Sequence, residues 1–303
     1  MALKMGLAEW IMLITLSIVW GGSFLFVGIA VDDLPPMTIV LIRVGFSALI
    51  LHLILKIQEI SFPSEIKILT AFLILGLFNN VIPFTLIVWG QTHLASGLAS
   101  ILNATTPIFA VIVAHFYTSD EKLKPHKFGG VILGFLGVVI MIGADVFADV
   151  ENDVFAQVAI LLAALSYAVS GIFGRRFGKM KISPINVATG QVTASSLIIL
   201  PMVIIMDEPW TLPMPGHETL LSLTGLVLLS TVLAYILYFK ILERAGATNL
   251  LLVTFLVPIS AILFGITILD EALTWSQIIG ALVIMSGLVM IDGRVLPKFK
   301  RIN

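Results

Sequence analysis

The sequence contains no cysteine, which excludes disulfides, thiolate metal sites and cysteine nucleophiles. Charge is scarce. Asp, Glu, Lys and Arg make up 12% of the 303 residues, about half the roughly 25% of an ordinary soluble protein. The net charge is −1, and no basic block lies outside short loops, so no nucleic-acid partner is expected. The five histidines, His52, His93, His115, His126 and His217, are scattered without metal-ligand spacing. No glycine-rich lysine motif for a nucleotide phosphate is present. Neither a metal nor any other cofactor is therefore expected. What the chain has in excess is apolar surface: 59% of its residues are hydrophobic and the mean hydropathy is +1.10. A soluble enzyme would need a polar skin that this composition cannot supply. The lipid bilayer is thus the expected solvent.

Runs of about 20 apolar residues cross a bilayer as helices. Ten such runs are present, at 7–29, 36–56, 66–90, 95–117, 127–144, 154–174, 184–206, 218–240, 247–268 and 274–292. The first is too long for a signal peptide and lacks its cleavage site, so it is read as span 1. The expectation is an all-α membrane protein of ten transmembrane helices. Basic residues collect on the cytoplasmic side. Every one of the 17 except Arg43 lies before span 1, after span 10, or in loops 2–3, 4–5, 6–7 and 8–9. The opposite loops hold Asp32, Asp33, Asp145, Asp149, Glu151, Asp153, Asp207, Glu208, Asp270 and Glu271. Both termini are therefore expected in the cytoplasm.

The chain repeats itself. Glu121-Lys122-Leu123 is followed by Gly130, Gly137 and Gly143, and Glu271-Ala272-Leu273 by Gly280, Gly287 and Gly293 at the same spacings. Pro107 matches Pro258, Gly76-Leu77 matches Gly225-Leu226, and Pro36, Ser47 and Leu49 match Pro184, Ser195 and Leu197. Trp20 and Ser23 fall opposite Tyr167 and Ser170. The halves expected from this pattern are residues 1–146 and 147–303. Five spans per half is an odd number, so the second half is inverted relative to the first, an architecture of secondary transporters with a site at the midplane.

With Trp20-Gly21 in span 1, Arg43 in span 2 and the duplicated Glu-x-Leu with its glycines, the chain resembles the EamA-type family of the drug/metabolite transporter superfamily, over nearly its whole length. The resemblance implies a small-molecule transporter of the cell membrane, bacterial, with a central cavity between the halves. Proton-coupled small multidrug relatives carry a carboxylate in the middle of their first span. This chain has only Glu9 at the edge of that span, so their coupling does not carry over.

Several residues at membrane depth are candidates for a solute site. Arg43 is the costliest, since a charge near the bilayer centre costs roughly 2.5–3.5 kcal/mol. It lies about 10 Å along span 2 from Pro36. It snorkels to the outer headgroups or bonds a neighbouring carbonyl, or it attracts anions at the outer mouth. Asn79 and Asn80 sit near the centre of span 3. Ser96, Ser100, Asn103 and Pro107 share one face of span 4. These groups either glue helices together or line a cavity. Trp20, Tyr167 and Tyr235 lie too deep for a headgroup belt, whereas Trp89 and Tyr238, near span ends, fit one. Tyr235 continues a stripe with Thr224 and Thr231. The residues expected to line the site are Trp20, Asn79, Asn80, Asn103, Tyr167, Ser170 and Tyr235, with Arg43 beside them. Pro107, Pro258 and Pro83 read as helix-interior kinks, and the matched pair Pro107 and Pro258 as candidate gates. Gly129, Gly130, Gly134 and Gly137 read as helix-packing surface, and Glu121 and Glu271 as caps or braces for loops.

The expected function is secondary transport of a small amino-acid-like or amphipathic metabolite, as export, by alternating access. An uptake permease of the same fold and a non-transporting scaffold are the alternatives. An intramembrane enzyme would need paired carboxylates or a Ser/His pair at shared depth, and none is evident. A homodimer is compatible with this composition. No Asp or Glu occupies the middle of a span, so facilitated diffusion or exchange is expected rather than proton antiport through a buried carboxylate. The topology has a direct check. Single cysteines placed at Asp149 and Lys179 should react with an impermeant thiol reagent applied outside the cell at position 149 and not at 179. The reverse labelling contradicts the orientation.

Overall fold

The computed structural model describes residues 5–118, 123–146 and 151–293, and among these there is no β-strand. The described residues form a bundle of ten helical spans. Span 1 is Leu7–Ala30, span 2 Pro36–Ile57, span 3 Ile66–Gly90 and span 4 Ser96–Tyr117. Span 5 is Pro125–Val146, span 6 Glu151–Lys179, span 7 Pro184–Met206 and span 8 His217–Ala245. Span 9 comes in two pieces, Ala247–Leu250 and Val253–Ile268, and span 10 is Trp275–Asp292. Lys4, Glu121, Lys122, Asp149 and the basic residues from Arg294 onward lie outside the described residues.

Helices are the only open-ended answer to a solvent that offers backbone groups no hydrogen bonds. Their ends are written in the sequence. Pro36 and Pro184 open spans 2 and 7 at the first helical position, where a missing N–H costs nothing. Thr274 and Gln277 form a reciprocal capping box before span 10, and Gly293, at φ 71°, closes it in the left-handed region. Spans 6 and 8 outrun their apolar stretches. The helix continues through Arg175, Arg176 and Lys179, and through Lys240 to Arg244, because leaving the hydrocarbon does not end a helix.

The outward faces are apolar. Phe46, Leu49 and Leu53 on span 2, and Phe128, Ile132, Leu136 and Val139 on span 5, are all exposed, as lipid-facing side chains must be. Inward, the most extensive contacts run between the first five spans and the last five. Span 5 packs on span 10, and span 2 on span 7. Span 1 packs on spans 8 and 9, and span 6 on spans 3 and 4. The halves are thus interleaved, each lending its first helix to the other.

The span 5–span 10 contact shows the pseudo-two-fold relation directly. A Cβ added at Gly130 would lie 2.6 Å from the Gly287 carbonyl oxygen, and one at Gly287 would lie 2.6 Å from the Gly130 oxygen. Gly137 and Gly280 face each other in the same reciprocal way, at 2.7 and 2.8 Å. Small residues let the two backbones touch, which is how helices associate where lipid removes the hydrophobic drive. The glycines called packing surface are therefore packing surface. Gly137→Ala and Gly287→Ala should each destabilise the protein by about 1–3 kcal/mol, read as a lowered melting temperature in nanodiscs. Gly171→Ala, which meets open space, should leave it unchanged.

Candidate functional site at the junction of the halves

Spans 3 and 8 occupy matching places in the two halves, and each loosens at mid-depth into a π-helical turn, Leu77–Val81 in span 3 and Leu228–Leu233 in span 8. Such turns recur at functional sites because they free backbone groups and displace side chains. The first carries Asn79 and Asn80, and the second Ser230 and Thr231. Glycines precede both turns. A Cβ on Gly76 would come within 2.7 Å of the Gln191 carbonyl oxygen, and one on Gly225 within 2.6 Å of the Phe26 ring.

A chain of hydrogen bonds crosses from half to half at this depth. Asn79 Nδ2 donates to Gln191 Oε1 at 2.9 Å, and its Oδ1 accepts from Ser170 Oγ at 2.7 Å. Asn80 Nδ2 donates to Ser195 Oγ at 3.0 Å, and its Oδ1 accepts from the Tyr235 hydroxyl at 3.0 Å. Ser195 in turn donates to the carbonyls of Gly76 and Gln191. Ser166 donates to the Phe78 carbonyl at 2.6 Å. Each bond is worth about 0.6 kcal/mol, up to ~2.

Arg43 belongs to the same layer. It is 8% exposed. Its Nε donates to Thr231 Oγ1 at 3.0 Å and Nη2 to the Ser230 carbonyl at 3.4 Å. The guanidinium lies 3.9 Å from the centroid of the Phe84 ring, which meets Tyr167 edge-on at 6.5 Å. Arg43 therefore neither snorkels nor stands at the outer mouth. It points into the bundle and ties span 2 to the π turn of span 8. Gln191, its counterpart in the repeat, ties span 7 to the π turn of span 3. Ser47 and Ser195 repeat the relation, to the carbonyls of Val227 and Gly76. Gln191 and Ser195 were not among the residues expected in the site. Their match to Arg43 and Ser47 was the signal that could have found them.

The structure thus brings together Arg43, Asn79, Asn80, Tyr167, Ser170 and Tyr235, and other expectations fall away. Asn103 is not part of the network, and its Oδ1 is buried without a hydrogen-bond partner among the described residues. Span 4 breaks at Ala104 and Thr105, so the regular face predicted through Asn103 does not continue. Ser96 bonds the Phe24 carbonyl, and Ser100 its own Gly97 carbonyl. Pro107 is not interior. It stands in the first turn of Thr106–Tyr117, and the Asn103 carbonyl it would have left idle accepts from Thr106 Oγ1 at 2.7 Å. Pro83, by contrast, lies inside the continuous helix of span 3, just after its π turn, and Pro258 lies inside Val253–Ile268. Thr224 faces outward and bonds its own Leu220 carbonyl, so the stripe with Thr231 and Tyr235 is absent. The Tyr238 ring packs on Trp20 at 5.9 Å. Trp89, near the end of span 3, is 37% exposed.

Both ends of the bundle carry a cleft, the one on the acidic face being about 430 Å³ between Ile29, Asp33 and Thr219, and they differ in what surrounds it. On the face carrying the acidic loops, three carboxylates cap helix N-termini of the opposite half, where the helix dipole favours negative charge. Asp33 Oδ2 accepts from Gly216 N at 2.8 Å and Thr219 Oγ1 at 2.6 Å at the start of span 8. Asp207 Oδ2 accepts from the backbone and hydroxyl of Thr38 at the start of span 2. Glu271 accepts from the backbone N–H of Ser96 and of Gly97 at the start of span 4, at 2.6 and 3.0 Å. Glu271 is thus a cap, as expected of it. These bonds hold the Asp33 carboxyl below its ordinary range, the Thr219 hydroxyl contributing most. On the face carrying the basic loops, a cleft of about 320 Å³ runs between spans 2, 7 and 8. Gln58, Lys240 and Glu243 lie in its wall, Leu51, Ala188 and Phe239 make it apolar, and it reaches Tyr235.

Comparison with known proteins agrees with this architecture. A family model described as the EamA-like transporter family matches residues 8–143 and again 154–292. The chain is similar to an "Uncharacterized transporter YoaV" of Bacillus subtilis (strain 168), with 26% identity over 281 residues, 92% of this chain and 94% of that one. It is also similar to a "Probable amino-acid metabolite efflux pump" of Escherichia coli (strain K12), with 26% identity over 281 residues, 89% of this chain and 90% of that one. A solved structure titled "Crystal structure of protein" shares the fold, with a TM-score of 0.65, 16% identity, and coverage of 94% of this chain and 96% of that one.

The caps make a stability prediction with a definite sign. A carboxyl held below its ordinary pKa stabilises the fold above the unfolded value and loses that contribution as pH falls through the folded one. The melting temperature of Asp33→Asn should therefore lie below that of wild type at every pH above about 5, and the gap should close in more acidic buffer, below about pH 4. Asp207→Ala should cost about 1–2 kcal/mol. Glu208→Ala, beside it, should cost nothing measurable.

Proposed function

The chain belongs to the EamA-like transporter family, and from that premise we propose that it exports a small amino-acid-like or amphipathic metabolite across the cell membrane by alternating access. It does so with both termini in the cytoplasm and with the repeats meeting between residues 146 and 147. The observation that carries this reading is the mid-depth junction, where Arg43, Asn79 and Asn80 of one half bond side chains of the other and a cleft on the basic face is lined by one of its members, Tyr235. The Escherichia coli relative named as a probable amino-acid metabolite efflux pump supports the direction.

On this reading the described arrangement is the state open toward the cytoplasm. Solute enters the apolar cleft and meets Tyr235, whose hydroxyl is bonded to Asn80 of the other half. Displacing that bond admits it to the layer of Arg43, Asn79 and Ser170, with the Phe84 and Tyr167 rings as walls. The acidic face stays shut while the Asp33, Asp207 and Glu271 caps hold the loops of one half on the helix ends of the other. Opening there needs those contacts to shift together. The broken spans 4 and 9 and the π turns of spans 3 and 8 are where the helices yield, for their backbone bonds are already rearranged. Pro258 keeps its place as a gate candidate. Every Asp and Glu among the described residues lies in a loop or in a terminal turn of a span, so on this reading no carboxylate at mid-span drives the cycle, and exchange or facilitated diffusion follows.

Counterflow of labelled amino acids and amphipathic metabolites in proteoliposomes, with no pH gradient, tests the proposal. A carried solute should accumulate transiently. Tyr235→Phe and Asn79→Leu should each slow it about tenfold, the cost of one buried hydrogen bond. Thr224→Ala, on the outer surface, should transport normally. Failure of every solute to exchange contradicts the proposal, as does unaltered exchange in both site variants.

A further inference from the structure

The repeat pairs Ser47 with Ser195 and Ser23 with Ser170, but it does not pair the one charge at the junction with another. Where span 7 carries the neutral Gln191, span 2 carries Arg43. That guanidinium is nine-tenths buried, about 10 Å into its span, and no carboxylate stands in the middle of any span. Its five N–H groups are only partly used. Nε and one N–H of Nη2 have acceptors, and Nη1 has none among the described residues. The Phe84 face eases the cost of burial, but a neutral ring does not cancel a charge. A buried cation with idle, forked donors and no counter-ion is a receptor waiting for an anion.

We propose that the solute carried by this protein bears a single carboxylate that docks on Arg43, so that the loaded site is neutral and the empty one is not. This rests on the transport reading above. The charge count selects the class. A phosphate monoester brings about −1.5 to −2, more than one guanidinium balances, whereas a carboxylate brings one and matches the fork of Nη1 and Nη2. The path to the site selects the remainder. Beside Gln58, Lys240 and Glu243, the cleft is lined by Leu51, Ala188, Ile236 and Phe239, so the rest of the molecule is predominantly apolar. Amphipathic monocarboxylates, including apolar amino acids and their acyl or keto derivatives, have this form. Arg43 is then the specificity-determining residue, and its bond to Thr231 on the span 8 π turn passes occupancy to the element beside Tyr235.

Matched pairs provide the test: phenylalanine and phenylalaninamide, leucine and leucinamide, 3-phenylpropionate and 3-phenylpropionamide. Each is assayed by thermal stabilisation of the purified protein in nanodiscs and by counterflow in proteoliposomes. At least one acid should bind and exchange about tenfold better than its amide. Arg43→Lys should keep the preference in weakened form and Arg43→Met should abolish it. If Arg43→Met does not fold, the wild-type acid–amide comparison and Arg43→Lys decide. Amides binding as well as acids, acids binding equally to wild type and Arg43→Met, or no member of the panel binding would each overturn the proposal. Exchange of amines or neutral solutes alone would overturn it while leaving the transport reading intact. Arg43-dependent binding of acids without exchange of any solute would uphold the site and contradict transport.

Discussion

At mid-membrane neither half of this protein can satisfy its own polar groups. Asn79 and Asn80 of the first half find donors and acceptors only on Ser170, Gln191, Ser195 and Tyr235 of the second. Arg43 reaches Thr231 and Ser230, and Ser230 and Ser260 donate back to carbonyls of Val19 and Ser17 in span 1. In water such groups could turn to solvent. In hydrocarbon each unpaired one costs several kcal/mol, so the halves are held in register by what they lack separately. The glycine contacts of spans 5 and 10 do the same work with backbone packing. Everything else, from the interleaved first helices to the placement of the aromatic rings, follows from this mutual dependence.

The same dependence makes the junction suited to movement. A polar bond between helices is worth only about 0.6–2 kcal/mol, and most of its value is the avoidance of an orphaned group. A solute with polar groups of its own can therefore substitute for one partner at little net cost. The π turns lower the barrier further, because their backbones are already off the regular ladder. Apolar packing alone would hold the halves together as well, but it would give a solute nothing to replace.

Much of this was legible in the sequence. Span number, the pairing of the halves and the packing glycines followed from apolar run length and repeated spacing, which are local or periodic signals. Arg43, Asn79, Asn80, Tyr167, Ser170 and Tyr235 stood out because polar and aromatic side chains at membrane depth are costly. The misreadings have common physical causes. Thr224 was placed on the face of Thr231 and Tyr235 by assuming a 3.6-residue period through what is a π turn, and the wider turn rotates the two ends apart. Asn103 was extended across a break in span 4. The contact of Tyr238 with Trp20 is between rings on different spans and is not legible from a place near the end of span 8. The partners of Arg43 and of the three acidic caps lie in the other half, and no periodicity reports a contact at that separation.

The claim at the centre of this account is that the junction opens by turns to each side of the membrane. Ser170 is the place to ask, being 1% exposed and bonded to Asn79. In this cysteine-free chain, Ser170→Cys gives a single thiol at the junction. An impermeant methanethiosulfonate reagent should modify it slowly from either side of oriented vesicles and block exchange, and a transported solute should alter both rates. A thiol that reacts from neither side, in protein that still exchanges solute, would contradict the account.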